Sequence, residues 1–113
     1  MDERIEKWLY DIQFAIEEID IFLEHAGKEY ANFKLNLMLK RAIERNLEII
    51  GEATNRILAK QPDIEISNAR KIVSLRNFVI HSYDSISDEN IWAIVINNLP
   101  ALKVEIQKLL DSK

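Results

Sequence analysis

From Glu3 to about Ala26, apolar side chains recur at every third or fourth residue: Ile5, Trp8, Leu9, Ile12, Ile16, Ile19, Phe22, Leu23 and Ala26. That step follows the turn of an α-helix and predicts one long amphipathic helix. Gly27 is a natural stop for it, and Lys28 to Phe33 reads as a loop or a short helical turn. A second periodic run, Leu35, Leu39, Ile43, Leu47, Ile50, Ala53 and Ile57, predicts a helix from roughly Leu35 to Ala59 with i,i+4 charge pairs on its outer side. Gly51 falls inside this helix, where glycine costs about 1 kcal/mol relative to alanine. Close approach by another segment or a ligand would account for it, and so would simple tolerance.

Gln61-Pro62-Asp63 breaks the pattern, and Ser67 can cap a third helix beginning at Asn68. Ser87 caps a fourth segment with Asp88 and Glu89 in its first turn, and Pro100 suits the first turn of a last helix ending near Leu110. Four to five helices with short connections predict an all-α, up-and-down bundle. At 113 residues the chain is long enough for one domain with a real core, so 1–113 is read as a single domain. Bundles host many functions, and the fold alone decides nothing about activity.

Composition narrows the classes. The chain has no cysteine, which excludes disulfides, thiol chemistry and the usual soft zinc ligands. The charged start M-D-E-R-I-E-K leads into no uninterrupted apolar run, so a cytoplasmic chain without signal peptide or membrane span is expected. A net charge of −4 opposes binding to nucleic-acid backbones, but the average hides a gradient. Residues 1–33 carry three basic and nine acidic side chains, 84–113 three and five, and 34–83 nine and five. The middle is therefore net basic, and it provides either a local anion-binding surface or an ordinary mixed helix face.

The candidate chemistry lies in R-N-F-V-I-H-S-Y-D, Arg76 to Asp84. At about 100° per residue, Ile72, Val73, Leu75, Phe78, Val79, Ile80 and Tyr83 cover an arc of roughly 220°. Arg70, Ser74, Asn77 and His81 share the opposite side. Arg76 falls in the middle of the apolar arc, where an unpaired guanidinium is costly, so it should meet a carboxylate, a polar cavity or an anion. Glu48 and Glu52 of the second helix are candidate carboxylates. The wide arc also predicts either a central helix or one covered by a second subunit, and a homodimer is the favoured reading. His81 lies about 140° from Arg76 on an ideal helix. The two share a site only if the helix ends or distorts, or if a dimer interface completes it.

Arg76, four residues, His81, one residue and Tyr83 resemble the Arg-x4-His-x-Tyr motif of the HepT-like toxins, a branch of the HEPN ribonuclease superfamily. R-A-I-E-R-N-L-E-I-I-G-E-A at 41–53 is similar to the family's second-helix signature, and I-W-A-I-V-I-N-N-L-P-A-L at 91–102 to its C-terminal block. The resemblance covers about residues 2–111. It implies a homodimeric helical bundle that cleaves RNA, tRNA foremost, without a metal or other cofactor. Arg76 and His81 would be catalytic, facing a cleft near the two-fold axis, and Asn77 would orient substrate. It further implies a partner, an MntA-like nucleotidyltransferase antitoxin that uses ATP and Mg²⁺ to adenylylate Tyr83.

A different class stays open beside the ribonuclease: a non-catalytic helical module that docks a nucleotidyltransferase and presents its substrate. An intact Arg76 and His81 pair distinguishes the enzyme, since a docking surface has no need of it. A di-metal bundle fails on spacing, because Phe22 and Phe78 stand three residues before His25 and His81 where Glu-x-x-His would need glutamate. With Gly27 and Gly51 as the only glycines, a P-loop is absent.

Overall fold

Asp2 opens the first helix. Its Oδ1 accepts the backbone N–H of Arg4 at 2.7 Å and of Ile5 at 3.3 Å, satisfying two donors that a helix N-terminus leaves without intrahelical partners. The computed structural model describes residues 1–67, 71–74 and 88–112, and in it α1 spans Glu3–Ala26, as the periodicity predicts. Gly27 ends α1 at φ +93°, its N–H reaching the Leu23 carbonyl at 2.8 Å. The stretch that follows takes the helical alternative, as α2, Tyr30–Leu35.

Asn36 separates α2 from α3, Leu37–Lys60. Its extended backbone breaks the helical register, and its Oδ1 caps α3 by accepting the Leu39 N–H at 3.0 Å. This corrects one expectation: Leu35, placed on the buried side of the second helix, is 84% exposed. It belongs to the end of α2, so the phase of Leu39 and Ile43 does not extend back to it. The remaining predicted core positions of α3, from Leu39 to Ile57, are buried, and Gly51 is buried among them.

Beyond α3, Ile64 and Ile66 turn into the core. Residues 71–74 are helical with Ile72 buried and Ser74 exposed, in keeping with the wheel. Asn68 and Ser87, expected at the start of the third helix and the cap of the fourth, lie outside the described residues. Next, α4, Asp88–Ala93, carries Asp88 and Glu89 in its first turn as expected. It passes through a π-helical turn, Ile94–Asn98, into α5, Leu99–Asp111. Pro100 sits in the first turn of α5 as expected, and the π-helical turn before it keeps the chain helical up to that point. Proline brings no N–H and its ring crowds the preceding turn, and a widened turn absorbs both effects without breaking the helix.

Two pairings along α1 give the bundle its directions. Asp2 meets Lys60 at 3.5 Å while Ala15 and Glu18 meet Asn46, so α1 and α3 run antiparallel. Asp20 meets Lys103 at 3.0 Å and Gln13 meets Gln107, so α1 and α5 are antiparallel too. Leu9, Ile12, Ile16 and Ile19 of α1, with Ile43, Leu47, Ile50 and Ile57 of α3 and Ile106 of α5, form the fully buried centre. Phe33 anchors α2 against the same core, its ring 5.5 Å from that of Trp92. The fold is all-α: among the described residues none forms a β-strand, and no helix is long and apolar enough to cross a membrane.

Candidate functional site

Arg76, Asn77, His81 and Tyr83 all lie outside the described residues. What the structure does describe is how the chain enters and leaves the segment that carries them. On the entry side, the Ser67 N–H donates to Glu105 Oε2 of α5 at 2.8 Å, and buried Ile66 and Ile72 hold the chain on the core. On the exit side, Asp88 Oδ2 meets Lys40 Nζ of α3 at 3.1 Å, with both side chains less than a third exposed. Ser67 is thus tied to α5 and Asp88 to the start of α3. A partly buried pair of this kind is screened less than a surface one, so it holds its geometry better.

The basic middle of the chain is largely engaged. Arg41 pairs with Glu44 at 2.6 Å, Arg45 with Glu48 at 3.5 Å and Arg56 with Glu52 at 2.7 Å, each within α3. Lys40 and Lys60 pair across elements. Both carboxylates proposed for Arg76 therefore already hold an arginine of their own helix, although Arg41, Arg45 and Arg56 stay more than half exposed and open to solvent anions. Among the described residues, no group of three or more His, Asp or Glu side chains converges as metal ligands. The Asp2 carboxyl is held below its ordinary value by the Arg4 and Ile5 amides, and it is a helix cap remote in sequence from the motif.

Two buried polar residues escaped the sequence reading: Thr54, which bonds within its own helix, and Asn46, which reaches across to another. Asn46, 5% exposed, sits between α3 and α1 and donates through Nδ2 to the Ala15 carbonyl at 3.1 Å and to Glu18 Oε1 at 3.0 Å. Its signal is position: three residues after Ile43 and four before Ile50, it falls within the apolar arc of α3. A buried amide with directional partners fixes the sliding register of two helices, which apolar contact alone leaves soft. Because α3 also carries Lys40, that register sets where Asp88 is held.

The chain matches the Ribonuclease HepT-like family over residues 12–109. It belongs to that family. The HepT-like match runs from the first half of α1 almost to the end of α5, so it takes in the whole helical order described above. Among similar proteins, one from Methanocaldococcus jannaschii, named as a candidate RNase (MJ1380), is 33% identical over 107 residues, 91% of this chain and 94% of that one. A Thermococcus cleftensis protein carrying the name "Probable ribonuclease HepT" is 32% identical over 106 residues, 90% and 92% of the two chains. A candidate RNase of Caldanaerobacter subterraneus, TTE0752, is 28% identical over 111 residues, 96% and 93%. No solved structure gives a significant match. Membership in the HepT-like family supports a ribonuclease role for this chain.

Proposed function

We propose that the chain is a homodimeric, metal-independent RNA endonuclease, the toxin of a toxin-antitoxin pair, with tRNA as substrate. The observation that carries the reading is the Arg76, His81 and Tyr83 spacing inside a chain of the HepT-like family. His81 removes the proton of a ribose 2′-hydroxyl, a task suited to imidazole, which ordinarily changes charge near neutral pH. The freed oxygen attacks the adjoining phosphorus, the bond to the 5′-oxygen breaks, and that oxygen leaves with the proton that His81 relays. The products are a 2′,3′-cyclic phosphate and a 5′-hydroxyl. Arg76 stabilises the charge that builds on the phosphoryl oxygens, and Asn77 orients the substrate. No step calls for a metal or other cofactor.

Regulation follows from charge. An MntA-like nucleotidyltransferase, spending its own ATP and Mg²⁺, transfers AMP to the Tyr83 hydroxyl. The added phosphate and nucleoside occupy and repel where an RNA phosphate must bind. The deciding experiment is tRNA cleavage in EDTA by the purified protein and by His81→Ala, after intact mass shows Tyr83 unmodified. Cleavage by the wild type alone, leaving cyclic phosphate ends, is the expected result. Absence of cleavage by the unmodified wild type would reject the ribonuclease and favour the docking module.

A further inference from the structure

A cavity of about 270 Å³ opens between Ser67, Lys71 and Ile72 on one side and the π-helical turn on the other. The sequence explains why it exists. Pro100 supplies no N–H, and the Leu99 N–H reaches back five residues to the Ile94 carbonyl instead of four. The widened turn brings two consecutive exposed asparagines, Asn97 and Asn98, to the same cavity wall. Buried Ile72 and Leu102 and half-buried Ile94 make an apolar floor, and Ala101 is small enough to leave it open. Lys71 stands at the rim, and Glu105, which takes the Ser67 N–H on Oε2, has no partner for its other oxygen among the described residues.

We propose that this cavity is a nucleobase pocket for single-stranded RNA, selecting bases with an exocyclic amino group over uracil. The proposal rests on the ribonuclease reading and names the feature of the substrate that this chain recognises. A nucleobase is apolar on its faces and polar at its edge, which matches an aliphatic floor beneath two carboxamides. The Glu105 carboxylate opposes a phosphate inside the cavity, so the base and not the backbone enters it. That carboxylate accepts from the amino group of adenine or cytosine and faces a carbonyl in uracil, which it repels. Lys71 is placed to meet the adjoining phosphate. It also lies five residues before Arg76 in the sequence.

The test is binding of fluorescein-labelled 2′-O-methyl oligonucleotides of A, C and U, which lack the attacking hydroxyl, measured by anisotropy. The wild type is expected to hold the A and C strands about tenfold more tightly than the U strand. Glu105→Gln, which no longer repels a carbonyl, should bring A and C to the level of U, while Asn97→Ala and Asn98→Ala should weaken all three strands, with unchanged melting because both asparagines are exposed. Asn97→Asp, which keeps the shape but loses the donors, should do the same, and Lys71→Ala should weaken all three strands alike. Equal binding of the three strands, or a preference untouched by Glu105→Gln, overturns the pocket even where tRNA cleavage is intact. AMP and CMP competing as well as the strands would assign the cavity to free nucleotides and likewise overturn it.

Discussion

Replacing Asn46 separates two reasons for keeping an amide in a hydrophobic interface. Its two hydrogen bonds, to the Ala15 carbonyl and to Glu18, contribute about 1 kcal/mol each. The usual premium for a charged partner is discounted because Glu18 is solvent-exposed. Asn46→Ala removes both bonds and leaves a small void, for a loss of about 2–3 kcal/mol and a melting point lower by about 10 °C. Asn46→Leu behaves differently. Ala15 lies inside α1, so its carbonyl keeps the helical N–H four residues on, and Glu18 can turn to water. The gained apolar burial then offsets the lost bonds to within about 1 kcal/mol. Asn46→Asp sets a carboxylate against a carbonyl and a second carboxylate, and should cost about 3–5 kcal/mol. Its deficit should shrink at low pH as the new carboxyl takes up a proton. The assay is urea unfolding followed by circular dichroism at several pH values. An Asp variant as stable as wild type at neutral pH, or an Ala variant as stable as the Leu variant, would refute the account of Asn46 as a satisfied register amide.

Phe33→Ala, emptying the fully buried site against Trp92, should cost about 3–5 kcal/mol. The emission of native protein should shift to the red as Trp92 meets water. Gly27→Ala forces a Cβ to within 2.6 Å of Asn32 Nδ2 at a φ of +93°, so a loss of about 1–3 kcal/mol is expected in thermal unfolding. For Asp2, the folded carboxyl is lowered from 3.8, so its contribution is present above that value and is lost as pH falls through the lower folded value. The Asp2→Asn variant should therefore melt below wild type at neutral pH and match it well below pH 3.8. A gap that persists in acid would mean that the charge is not what the cap contributes.

Local patterning made the long helices legible. An apolar side chain every third or fourth residue placed α1 over its full length and put Leu39 through Ile57 on the inner face of α3, because the helical period is a property of the backbone. Gly27 marked a stop for the same reason: few residues but glycine take its conformation. Leu35 was misplaced because periodicity cannot tell a residue that begins one helix from a residue that ends the previous one. The Asn36 cap makes that distinction. The candidate site was legible as a motif, Arg76 with His81 and Tyr83. Its geometry falls outside the described residues, and the neighbours Glu48 and Glu52 proved to hold arginines of their own helix.

The sequence by itself determined the helical class, the faces that turn inward and the motif that marks the family, since each of these depends on spacing along one chain. Only the tertiary structure decided which partners Asn46 meets in the core and that Lys40 holds Asp88. Each of those outcomes depends on what another element, distant in sequence, brings to the same place. A hydrogen bond or ion pair forms across Å of space while its partners stand tens of residues apart, and no local period encodes that meeting.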